Sequence, residues 1–134
     1  MTKWLGTSLR RFRRNSEGNA TIEAVLWIPA FFMIFSLIAD VSMIFNGHSL
    51  IMRTIQDANR NYSVGRFSTT TETSTWVEAQ LNNLSPNANA VTSEYAGIAT
   101  TVVTVPISDL QILGLFNVLG NFDITVRSQH FIEY

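Results

Sequence analysis

Two carboxylates bracket the most apolar part of this chain. Glu23 stands where a basic leader gives way to hydrocarbon, and Asp40 is the only charge in the run Ala24–Phe45. An ionised acid in or beside hydrocarbon is costly unless it is paired or reaches the headgroups. Glu23 faces the cationic side, so a new amino terminus is its obvious partner should the leader be removed. Asp40 lies near the other end of the run. There it is either a solvated acid at headgroup level, reaching water by snorkelling, or a group engaged in packing or pairing. The chemistry these residues offer is charge compensation at a membrane boundary.

Chemistry of other kinds has no foothold in the residues. The chain has no cysteine, which removes disulfides, thiolate metal sites and a Cys nucleophile. Its two histidines, His48 and His130, fall in different elements, and neither has Ser and Asp in a recognisable order. No Gly-rich phosphate loop and no metal-ligand spacing occurs. Asp109, Asp123 and Glu133 read as separate surface acids. Neither a cofactor nor a small-molecule ligand is expected.

The elements that position Glu23 and Asp40 follow from the charge distribution. Residues 1–18 carry five basic side chains, Lys3, Arg10, Arg11, Arg13 and Arg14, against Glu17, a net charge of +4. Residues 19–134 carry four basic and nine acidic side chains, a net charge of −5. The basic charge therefore belongs to the leader. A nucleic-acid-binding face would need Lys and Arg spread over a folded surface, so no nucleic-acid partner is expected. Ala24–Phe45 spans 22 residues, about 33 Å as a helix against about 30 Å of hydrocarbon. Arg10, Arg11, Arg13 and Arg14 before it set a cytoplasmic amino terminus. A buried core helix is disfavoured, because so few other residues would have to wrap 22 apolar ones. A cleaved secretory signal is disfavoured by Leu37, two residues before the candidate cut after Ala39. A twin-arginine signal at Arg10-Arg11 is disfavoured by Arg13 and Arg14. Pro29 removes a backbone donor inside the run and predicts a kink.

The segment RRFRRNSEGNATIEAVLWIPAFFMIFSLIADVSMIF resembles the amino-terminal segment of TadE-like proteins, the pilin-like components of tight-adherence pilus machinery. Gly18, Glu23, Pro29 and Asp40 fall on the family's pattern, and Ala58, Arg60, Gly65 and Arg66 fall loosely on its later motif. Asp40 departs where Glu is commoner, Ala24 where an aromatic residue often follows, and Asn61 where a small residue is usual. The likeness covers roughly residues 10–67. It implies a processing site like that of type IV prepilins: a prepilin peptidase cuts after Gly18, Asn19 becomes the amino terminus, and Glu23 is the fifth residue. It further implies a structural role among other pilin-like subunits and the pilus assembly machinery. The carboxylate of Glu23 would neutralise the amine of Asn19, its own or a neighbour's.

Beyond Phe45, Ile44, His48, Ile51, Ile55, Ala58 and Tyr62 recur at spacings of 4, 3, 4, 3 and 4, a heptad-like stripe on one helix face. Gly65 is a plausible stop. Residues 67–75 read as a polar loop. Thr75 and Glu78 have capping-box spacing for a helix Trp76–Leu84. Residues 91–95, 98–107 and 122–134 read as strands, and Ser108 as the cap of a short helix through Leu115. The expected fold is α+β. A long transmembrane helix with an amphipathic extension packs on a small antiparallel sheet and short helices. The expected divisions are a cytoplasmic leader (1–18), the helix and its extension (19–66) and a small periplasmic domain (67–134). The expected protein is a bacterial inner-membrane, single-pass, non-enzymatic minor pilin-like subunit or assembly protein. The alternatives are a pseudopilin of a related secretion system and a membrane-anchored sensor or interaction domain.

Overall fold

A computed structural model describes residues 17–133, with the side chains of residues 21–117 and 120–133. The first element, α1 (Glu17–Ser63), is a 47-residue helix that runs through Pro29. It is followed by α2 (Thr70–Leu81), β1 (Asn89–Tyr95), β2 (Ile98–Pro106), two 3-10 turns (Ile107–Asp109 and Leu115–Leu119) and β3 (Asp123–Phe131). The class is α+β: one long apolar helix, a short helix and an antiparallel three-stranded sheet. The chain forms two compact units that divide between Ser36 and Leu37, within α1.

Up to Ser36, α1 is an apolar helix with little cover. Ile22, Leu26, Phe32, Met33 and Phe35 are all more than half exposed. By length and composition α1 can cross a membrane, and its most apolar window is unburied.

In the second unit the same helix buries side chains. Ile51, Ile55 and Ala58 are fully buried, in one cluster with Val77, Leu81, Val103, Val105 and Val126. At Gly47 the helix backbone comes close to Leu110. A Cβ there would lie 2.7 Å from Leu110 Cδ2. The helix ends in a Schellman motif. Gly65 has φ of 74°, its N–H bonds Tyr62 O at 3.0 Å, and the Arg66 N–H bonds Asn61 O at 2.8 Å.

The second helix corrects the expected loop at 67–75. It starts six residues before the expected Trp76, with Thr69 as its cap. Thr69 Oγ1 accepts from the Glu72 N–H at 3.1 Å, and Glu72 Oε2 accepts from the Ser68 N–H at 2.9 Å. That is a capping box with the same spacing as Thr75…Glu78. The earlier start wins because it adds a buried residue: Thr73, Val77 and Leu81 form one buried stripe. The hydroxyls of Thr73, Ser74 and Thr75 bond carbonyls one turn back, so the Thr-rich composition does not break the helix.

The strands run in the order β1-β2-β3, antiparallel throughout. Tyr95 pairs with Ile98 across Ala96-Gly97, whose φ values of 51° and 74° suit a two-residue hairpin turn. Ala90, Val103 and Val126 lie opposite one another on the buried face. Helix α2 guards the outer edge of β1. The outward N–H groups of Ala90 and Thr92 donate to Glu78 Oε1 and Ser74 Oγ, each at 2.9 Å. Among the described residues, no side chain bonds the outward groups of β3 in this way. Its odd-numbered residues from Asp123 to Phe131 are exposed. Their N–H and C=O groups point away from β2, because the flanking bonds Ile107 N–H to Phe122 O and Ile132 N–H to Gly97 O set the alternation.

The expected helix from Ser108 to Leu115 is not formed. Two 3-10 turns stand there instead, separated by residues 110–114, the last of which, Gly114, has φ of 74°. A left-handed residue cannot continue an α-helix, and the amide groups around it are committed elsewhere.

Candidate functional site

Those amide groups converge on Asp40. Its Oδ1 accepts the Ile112 N–H at 3.0 Å and the Leu113 N–H at 2.8 Å, and its Oδ2 accepts the Leu115 N–H at 3.0 Å. The left-handed turn at Gly114 lets successive N–H groups point to one side, an anion-holding concavity. Asp40 is fully buried. It is thus not a headgroup-level acid in water. The loop closes over it and supplies the hydrogen bonds that burial of a carboxylate requires. The partners lie 72 to 75 positions away along the chain, so no local pattern around Asp40 foretells them.

The other expected site residues are spread along α1. Gly18 and Asn19 lie in its first turns, and Glu23 is exposed about one turn on. Pro29 is exposed within the apolar stretch. Arg10, Arg11, Arg13 and Arg14 lie outside the described residues. Of the stripe, Ile51, Ile55, Ala58 and Tyr62 are buried, whereas Ile44 and His48 are half-buried.

Three residues on the buried side of α1 were missed by a reading that followed hydrophobicity: Gly47, Asn59 and Ser63. Asn59 centres a polar relay in the core. Its Nδ2 donates to Ser128 O on β3 at 3.1 Å, and its Oδ1 accepts from Thr101 Oγ1 on β2 at 2.6 Å. Thr101 in turn shares a 2.9 Å bond with Thr92 on β1. One helix side chain is thereby linked to all three strands. At the helix end, Tyr62 Oη donates to Glu94 Oε2 at 2.5 Å. Asn59, Thr101 and Thr92 are buried, and each has a partner, the condition for polar atoms in a core. The only hint in the sequence is position: Asn59 and Ser63 flank stripe residues and share a helix face with them.

A second carboxylate joins the loops. Asp109 Oδ2 accepts from Ser85 Oγ at 2.5 Å and from Asn87 Nδ2 at 3.2 Å. The Ser85 hydroxyl holds the Asp109 carboxyl below its ordinary value, against an opposing effect of burial, and Asn87 and Ser108 add to the lowering. Among the described residues, no three His, Cys, Asp or Glu side chains gather as metal ligands do. A shallow cleft between the end of α1 and α2 is lined by Asp57, Arg60, Arg66 and Trp76. It holds no nucleophile with an adjacent base.

Carboxylates and amides fix loops and strands to a helix that also carries a membrane-length apolar stretch. No protein-family model matches the chain, and neither does any curated protein or any solved structure.

Proposed function

We propose that the protein is a non-enzymatic, pilin-like subunit or assembly protein of a tight-adherence pilus. It is held by one helix in a bacterial inner membrane with its folded unit in the periplasm. The observation that carries this reading is the constellation Arg10, Arg11, Arg13, Arg14–Gly18–Glu23–Pro29–Asp40, framed by the apolar run. Support also comes from the layout: a long exposed apolar helix continues into a small α+β unit. In this reading the stripe Ile44–Tyr62 is the amphipathic extension on which the small sheet rests. The partners are the bilayer, a prepilin peptidase and other pilin-like subunits.

On this reading the peptidase removes residues 1–18 and frees the amine of Asn19. Glu23 compensates that amine, because a salt-bridged pair costs less in an apolar setting than either charge alone. Orientation comes from the arginines, which stay on the cytoplasmic side.

Intact-mass spectrometry of the protein from its native membranes tests the reading. The expected species begins at Asn19. A species beginning near Asp40 would identify a secreted domain and end the proposal. An uncut chain would leave a membrane anchor but remove prepilin processing.

A further inference from the structure

The loop that closes over Asp40 carries an unusual surface. Residues 110–122, LQILGLFNVLGNF, contain no charged side chain, and the flanking charges are Asp109 and Asp123. Ile112 is 65% exposed and Leu113 55%. Exposed apolar residues on a loop tip are not what water favours. Within the same compact unit, Leu37 and Ile38 of α1 are 45% and 55% exposed. They stand within one turn of Asp40, whose carboxylate is hydrogen-bonded to the backbone of Ile112 and Leu113. The loop therefore lies at the level of the last turns of the apolar run. Phe45, which ends that run, is about 7.5 Å farther along the helix axis than Asp40.

We infer that this loop is a second membrane contact, with Ile112 and Leu113 entering the outer face of the bilayer that α1 crosses. The inference rests on the reading of Ala24–Phe45 as a membrane span. Three observations single out lipid as the occupant. Leu37 and Ile38, exposed within one turn of the Asp40 that holds the loop, continue the apolar run in sequence. The loop lacks charge over 13 residues, whereas the exposed pair Tyr95 and Phe131 has Glu94 and Glu133 one and two residues away in sequence. Third, several N–H groups of the irregular loop backbone are satisfied from within. Lipid offers no hydrogen bonds, so non-helical backbone survives at that depth only where protein supplies them. Asp40 supplies them for Ile112, Leu113 and Leu115, and turn bonds serve Leu110, Asn117 and Gly120. A buried carboxylate in a membrane helix is otherwise expensive. Here it serves as the acceptor for three N–H groups of a loop that approaches lipid.

The chain has no cysteine, so single nitroxide labels can be placed without background. Leu113→Cys and, separately, Ile112→Cys report on the loop. Phe32→Cys reports on the apolar run, and Tyr95→Cys, 85% exposed, reports on the far hairpin. Each is made in the full chain and reconstituted into phosphatidylcholine–phosphatidylglycerol vesicles. Collision with oxygen, which concentrates in lipid, is compared with collision with a water-soluble nickel chelate. The expected result is a loop label that favours oxygen several-fold, as Phe32 does, while Tyr95 favours nickel. Loop labels that collide with nickel as Tyr95 does, with Phe32 still in lipid, overturn the loop contact and leave the anchor standing. A loop label shielded from both reagents also overturns it, because protein then covers the surface. If Phe32 itself meets nickel, the membrane span fails and the loop contact with it.

Discussion

Asn59 on α1 and Thr101 on β2 share a hydrogen bond of 2.6 Å with both side chains wholly buried. Between them they join the helix to the centre of the sheet, and Thr92 and Ser128 extend the link to the outer strands. An apolar pair at these positions would bury as readily. The polar pair differs in that it is satisfied in one register only. A slip of one residue along β2 would turn Thr101 to the other face and strand Asn59.

This predicts a strong coupling. Asn59→Ala should cost about 2–3 kcal/mol, because it leaves the Thr101 hydroxyl unpaired in the core as well as removing packing. Thr101→Val alone should cost roughly 1–2 kcal/mol, and the double variant clearly less than the sum, with about 1 kcal/mol of interaction. Urea unfolding of the four proteins in detergent reads these values. Strict additivity would show that the bond carries no energy of its own.

Asp40→Ala removes the acceptor of three backbone N–H groups. The loss should be at least about 2 kcal/mol, given roughly 1–3 kcal/mol for each buried group left unpaired. Hydrogen exchange gives the sharper reading. The amides of Ile112, Leu113 and Leu115 should exchange much faster in the variant, while those of β2 slow or quicken only with global stability. Unchanged protection at the three amides would mean that the loop is held by its side chains.

Acid should weaken the folded unit through Asp109. The Ser85 hydroxyl and Asn87 lower its pKa in the folded state. A lowered folded-state pKa contributes stability that is complete above the unfolded value, about 3.9. That contribution is lost as pH falls through the lower folded value. Ser85→Ala should therefore be less stable than the parent near neutral pH, and the gap should narrow as both are acidified. Melting curves taken from neutral to strongly acidic buffer test this. A gap that stays constant would assign the effect to packing around Ser85 instead.

Glu23→Ala tests the proposed assembly role. Glu23 is exposed on α1, so its loss should leave insertion and leader cleavage largely intact while incorporation into an assembly falls. Co-purification of the variant with its pilin-like neighbours, compared with the parent, measures this. Normal incorporation would sink the pairing of Glu23 with the amine of Asn19.

Much of the fold was legible because its signals are local. Apolar length marks α1, β-branched runs mark the strands, and Gly65 marks the helix end. The first turns of α2 were hidden by two equally spaced capping boxes, Thr69…Glu72 and Thr75…Glu78. Only the burial of Thr73 decides between them, and burial is a tertiary fact. The 3-10 turns were hidden for a related reason. Residues 108–115 carry a helix-like start, but their amides are claimed by an acid far away in the chain. Asp40 itself could be read as either solvated or paired, since its sequence neighbours are compatible with both. Asn59 escaped notice because a stripe drawn from apolar residues skips polar ones on the same face.

The guarded edge of β1 sets a limit on how copies of this protein can join. With Ser74 and Glu78 occupying two of its outward donors, the sheet has a valence of one, at β3. Edge-to-edge pairing can bring in a single strand and then stops, as a monomer with one reactive end terminates a polymer. A fibre that contained this protein in repeating contact would have to propagate through surfaces other than its sheet edges, because its sheet can only end a row.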